Sequence, residues 1–98
     1  MRSARTPQLT RQTMVILSIL MGAHRPVAGS ALASESGLAS GTLYPILIRL
    51  ETAGWVTSAW EDGESERPRR RVYRVTGQGI RYARQEAAAW KTLVERLV

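Results

Sequence analysis

The stretch GTLYPILIRLETAGW, residues 41–55, constrains this chain more than any other. Leu43, Ile46, Leu47 and Leu50 fall at i, i+3, i+4 and i+7, one face of an α-helix. Pro45 lies inside that pattern, although a proline has no N–H for a helix interior and its ring crowds the carbonyl four residues back. A proline is tolerated in the first turn, where backbone donors have no helical partner. The residue that caps the helix therefore decides the matter. With Thr42 as the cap Pro45 falls in the first turn, and with Ser40 as the cap it falls just past it and distorts the helix start. Under both, the proline belongs to the helix entrance. Gly54 is the natural stop at the other end.

A helix with so definite a start and stop needs neighbours, and 98 residues supply one small domain. A chain of this size buries roughly 60–65% of its surface on folding, which makes a monomer marginal and a second subunit a common remedy. With no cysteine and a single histidine, His24, the sequence offers no disulfide, no thiolate nucleophile and no zinc ligand set, and no cofactor is expected. No paired carboxylates, nucleophile with base or phosphate-cradling loop stands out, so an enzyme is not expected. The formal charge is +6, and thirteen of the fourteen cations are arginine. That balance points to a polyanion and to bidentate contact with phosphate or guanine.

Residues 1–8, MRSARTPQ, carry Arg2 and Arg5 without periodicity and read as a basic arm. Thr10 can cap a helix to about Gly22, with Met14, Leu17, Leu20 and Met21 on one side and Val15, Ile16 and Ile19 over much of the rest. A helix apolar nearly all round must be covered on more than one side, by its own core and by a second subunit. Arg2, Arg5 and Arg11 ahead of MVILSILMGA also imitate a secretory signal. Cleavage there would leave a piece too small for a core, and the run is shorter than the ~20 apolar residues a membrane span needs. The expectation is a cytoplasmic chain without a membrane partner.

After the breaker His24-Arg25-Pro26, VAGSALASESGL reads as a short helix. Its Ala33-x3-Gly37-Leu38 spacing and the turn at residues 36–40 suggest a helix-turn-helix, with residues 41–53 in the second helix. WVTSAW (55–60) and RRVYRV (70–75) then flank EDGESERPR as a long-looped β-hairpin turning at Asp62-Gly63, the inward strand face being left open. Thr76 caps a last helix on which Ile80, Ala83, Ala87, Trp90, Val94 and Leu97 recur at steps of three and four, a coiled-coil-like seam. The fold class is mainly α with a small β-hairpin: a winged helix-turn-helix with an additional C-terminal helix. Residues 1–76 form the arm and DNA-binding region and residues 77–98 the dimerisation helix, within one compact domain.

SGTLYPILIRLETAGWVTSAWE followed by RPRRRVYRVTGQG resembles the core signature of the PadR family of bacterial transcriptional regulators. Matching elements run from Gly41-Thr42-Leu43-Tyr44-Pro45-Ile46-Leu47 through Arg49-Leu50-Glu51 and Gly54-Trp55-Val56. They continue in the wing Arg67-Pro68-Arg69-Arg70, in Tyr73, and in Val75-Thr76 with Gly79. The resemblance covers about residues 10–97. It implies a homodimeric repressor on a palindromic operator, of the short class with one final helix. In the drug-responsive members of that class a tryptophan of the last helix faces its symmetry mate across a hydrophobic pore, and Trp90 occupies the matching place. The tract Ala87-Ala88-Ala89 and the compressed second helix SALASESG, lacking an aromatic near its start, depart from the pattern.

The site residues follow. Ser40, Gly41, Thr42, Tyr44 and Pro45 form the helix entrance that enters a major groove. Ser40, Thr42 and Tyr44 can donate to phosphate or base edges, and Pro45 with the tyrosine ring offers apolar contact to a thymine methyl. By spacing alone Tyr44 could equally pack against the neighbouring helix. Arg67, Arg69, Arg70 and Arg71 would reach flanking phosphates as a wing, Arg2, Arg5 and Arg11 adding contacts. The competing reading is a solvated charge run balanced by Glu61, Asp62, Glu64 and Glu66; because the acids precede the cations, a polarised wing with its second arm on DNA is expected. Met14, Leu17, Ile80, Ala83, Ala87, Trp90, Val94 and Leu97 are assigned to the dimer interface, with Trp90 also the candidate contact for a small aromatic or cationic effector. The alternative function is a winged-helix protein-interaction module, which would not need cations on the wing and helix entrance together.

Overall fold

The computed structural model describes residues 9–62 and 69–98. Arg2 and Arg5 of the arm, and Glu64, Glu66 and Arg67 between the wing strands, lie outside the described residues. The element order is α1 (Arg11–Gly22), β1 (Val27–Ala28), α2 (Gly29–Ser36), α3 (Ser40–Thr52), β2 (Val56–Glu61), β3 (Arg70–Val75) and α4 (Gly77–Leu97). It is an α+β winged helix with a final helix.

Thr10 caps α1, its Oγ1 accepting from the Thr13 N–H at 3.2 Å. Ile16, Leu17 and Leu20 turn wholly inward, while Met14, Val15 and Ile19 keep some exposure. α2 ends on Gly37 at φ +73°, whose N–H donates to the Ala33 carbonyl at 3.0 Å. A side chain is strained in that left-handed conformation, so the glycine makes the helix-turn-helix possible.

Neither expected cap opens α3. Ala39 does so with backbone alone, the Thr42 and Leu43 N–H groups both donating to its carbonyl at 2.9 Å. Thr42 and Ser40 are already helical, which moves Pro45 into the second turn. There it has no N–H to give the Gly41 carbonyl. Both residues lie on the exposed face, where water can serve that carbonyl. The helix closes on Gly54 at φ +82°, with Trp55 N–H donating to the Leu50 carbonyl at 2.9 Å and Gly54 N–H to that of Glu51 at 3.0 Å. This double closure aims Trp55 back into the core.

The sheet has three strands in the order β1-β3-β2, all antiparallel, so the expected hairpin gains a third strand. Val27 pairs with Tyr73 and Ala28 with Val72, which ties the start of α2 to the wing. Along the hairpin Val56 faces Val75 and Glu61 faces Arg70. The core joins Ile16, Leu17, Leu20, Leu32, Leu43, Ile46, Leu47, Leu50, Trp55, Val56, Tyr73 and Ala83. α4 is capped by Thr76, which accepts from Gly79 N–H at 3.1 Å and donates to the Gly54 carbonyl at 2.7 Å. A Cβ at Gly79 would strike the Trp55 carbonyl, so the helix start can press against the backbone there. Trp55 stacks on Tyr82 with ring centroids 4.6 Å apart. From Ala87 onward every residue of α4 is exposed.

Candidate nucleic-acid interface

Burial of Leu43, Ile46, Leu47 and Leu50 fixes the rotation of α3. The opposite face is thereby open: Ser40, Gly41, Thr42, Tyr44, Pro45, Ile48, Arg49 and Thr52 are all exposed. Ile48, 64% exposed, went unnoticed in the sequence. Its signal was there, because it is the one large aliphatic residue of the helix that falls off the apolar stripe. Tyr44 does two things at once. Its ring leans on Gly29, where a Cβ would collide with the hydroxyl, and it still keeps a solvent-facing edge.

Among the described residues the wing keeps its acids on the first arm and its arginines on the second, but the two arms pair. Its register sets acids directly beside cations, with Arg70 Nε 2.7 Å from Glu61 and Arg69 Nε 3.5 Å from Asp62. Arg71 reaches instead to Glu51 of α3, at 3.6 Å, and Glu51 also accepts from the Ser58 hydroxyl. The wing is thus tied to α3 through one carboxylate. Trp60, the second residue that sequence reasoning missed, sits with the Arg69 and Arg71 guanidinium carbons 5.5 and 5.3 Å from its ring centroid. Such stacking orders two flexible cations. Exposed pairs of this kind contribute roughly 0–1 kcal/mol and exchange partners readily.

Between these parts lies a hollow of about 400 Å³ bordered by Ala28, Gly29, Tyr44, Tyr73 and the three described wing arginines. Burial pushes the Tyr73 phenol above its ordinary pKa, with the Arg71 guanidinium opposing. The hydroxyl therefore stays protonated through the physiological range and keeps a proton to donate. Tyr44, Arg69, Arg70 and Arg71, far apart in sequence, border one space.

The proposed interface residues divide. Leu17, 0% exposed, and Ala83, 3% exposed, are enclosed in the chain's own core and have no surface to give a partner, which corrects their assignment to the seam. Met14, Ile80, Ala87, Trp90, Val94 and Leu97 retain accessible surface, and the seam gains Leu93 at i+3 from Trp90. Arg11, Met14, Ala87 and Trp90 border an open groove of about 370 Å³.

A helix-turn-helix whose second helix presents a polar and apolar outer face beside an arginine-bearing wing defines the class of winged-helix DNA-binding proteins. Residues 16–85 match the transcriptional regulator PadR-like family, and the chain belongs to that family. It is a transcriptional regulator, and DNA-binding regulation is what membership implies. A PadR family regulator from Eggerthella lenta DSM 2243 is 32% identical with a TM-score of 0.72, over 89% of this chain and 80% of that one. A PadR-like transcription factor from Bacteroides fragilis is 28% identical with a TM-score of 0.69, over 89% of each chain. The fold also superposes on a PadR family regulator from Clostridium difficile R20291 with a TM-score of 0.79 at 22% identity, over 90% of this chain and 95% of that one. No curated protein matches the chain.

Proposed function

We propose that the protein is a repressor that binds a palindromic operator as a homodimer. The outer face of α3 enters the major groove, with Ser40, Gly41, Thr42, Tyr44 and Pro45 leading and Ile48 following. Arg69, Arg70 and Arg71 take the flanking backbone, joined by Arg67 and the N-terminal arm. The observation that carries this reading is the convergence of Tyr44 and three wing arginines on one hollow at the side of α3. A protein-interaction module has no need of cations placed there.

A second copy covers the exposed stripe Trp90, Leu93, Val94 and Leu97, which a lone chain leaves in water. Residues 77–98 then act as the dimerisation helix. A planar aromatic or cationic effector stacks on Trp90 in the groove with Met14 and Ala87, and opposes operator binding. Selection of duplexes from a random pool, including the upstream region of the protein's own gene, tests the proposal. The expected winner is an inverted repeat with half-sites one helical turn apart or a multiple of it. Enrichment of no duplex, or of single half-sites bound by a monomer, overturns it.

A further inference from the structure

We infer that the hollow between α2, α3 and the wing is the seat of one phosphodiester of the DNA backbone, its arginines held until then by the protein's own carboxylates. The inference rests on the DNA-binding reading and deepens it by naming the donors.

Beside the arginines, three features of the lining suit an anion without protons. α2 begins at Gly29 with Ala28 as its cap and no side-chain hydrogen bond to its first turn. The amides there are unclaimed by any side chain, and the helix start favours negative charge. Tyr73 lines the same space though only 5% exposed. Its oxygen lies by the Arg71 guanidinium, which places the hydroxyl among the arginines of the hollow. A phenol that lines an arginine-bordered hollow can donate to an anion seated there. Finally, the Tyr44 hydroxyl lies over Gly29, where any side chain would displace it. The glycine is what lets the phenol lie at the helix start.

Arg69, Arg70 and Arg71 border the hollow, and each is occupied by a carboxylate: Asp62, Glu61 and Glu51. These bridges are solvent-exposed, so a phosphate can replace the carboxylates as partner. Glu61 and Asp62 therefore act as competitors of DNA. Removing them tightens binding, the reverse of what loss of a structural ion pair would do.

The test uses the tightest duplex recovered from the random pool, remade with one neutral methylphosphonate at each backbone position in turn. One phosphate per half-site should stand out, with affinity falling about tenfold when its charge is removed. Tyr73→Phe keeps the ring and fold but lacks the donor; for it the penalty at that phosphate should shrink and those elsewhere stay unchanged. Glu61→Gln should tighten the natural duplex about two- to fivefold and give no gain on the duplex neutralised at that position. If the chain binds the duplex tightly but no phosphate stands out, or the penalty is the same in Tyr73→Phe, the seat is wrong while the DNA reading stands. If no duplex is enriched, both fall.

Discussion

Ile48 shows how a single residue carries information that a periodic pattern hides. Leu43, Ile46, Leu47 and Leu50 use up the inward face of α3, so an aliphatic side chain outside that set must face water or a partner. In a major groove its match is a thymine methyl. Replacing single thymines by deoxyuridine removes that methyl alone. One position should weaken wild-type binding, and Ile48→Ala should be indifferent to the same change; equal sensitivity in both would free Ile48 from base contact. The proposed phosphate role of the arginines has a different signature, because phosphate contacts position without reading sequence. Replacing Arg69 and Arg70 by Ala should weaken many duplexes alike and flatten the salt dependence between about 50 and 200 mM. An unchanged salt slope would remove the wing from the interface.

At the scale of elements, α3 is set by its two ends. Gly54 was legible as the stop because only a left-handed residue returns the chain so sharply, and Trp55 is carried into the core by that turn. The start was misread. Sequence reasoning sought a hydroxyl cap at Thr42 or Ser40, whereas packing of α2 against α3 leaves the chain extended at Ala39 and starts the helix there. Pro45 consequently occupies a place where a proline is unfavourable. Pro45→Ala should restore the donor to the Gly41 carbonyl and stabilise the protein by about 1–3 kcal/mol in urea unfolding, while operator affinity falls. A stabilised variant with undiminished affinity would show the proline to be without a role on DNA. Leu47→Ala, by contrast, should cost about 2–5 kcal/mol, since Leu47 is enclosed by the core.

At the scale of the whole molecule, the far half of α4 stands exposed from Ala87 onward. Among the described residues, Trp90, Leu93, Val94 and Leu97 form an exposed apolar stripe. Trp90→Asp would place a charge in the proposed subunit contact, at a cost of several kcal/mol if buried there. Sedimentation should then show a monomer at micromolar concentration, and operator binding should collapse; a dimer of unchanged affinity would place the contact elsewhere. An effector wedged beside Trp90 would alter the spacing of two recognition helices that must match major grooves roughly 34 Å apart. Ligand and operator would then weaken each other by the same factor. In a Trp55→Phe, Trp60→Phe background, planar cations and phenolic acids should quench Trp90 less when operator is present. Quenching indifferent to operator would sever the link.

The sequence by itself determined which residues line the inner face of α3, where α1 and α4 begin, where the glycine turns fall, and that a basic wing follows. Each of these depends on contacts within a few residues: helical period, a threonine cap, a left-handed glycine. It also carried the family, because the Leu-Tyr-Pro-Ile-Leu run and the wing are local patterns. Only the tertiary structure decided the rest. Val27 and Ala28 become a strand because β3 offers an edge, and two residues are too few to show alternation. Leu17 and Ala83 look like seam residues along their own helices, but the neighbours that bury them come from elsewhere in the chain. The wing acids and arginines form separate blocks in sequence, and the hairpin register interleaves them into pairs. The hollow shared by Gly29, Tyr44 and Tyr73 exists only once β1 has drawn the start of α2 against the wing. Local chemistry chose the parts, and long-range packing chose which of their faces meet and which stay open.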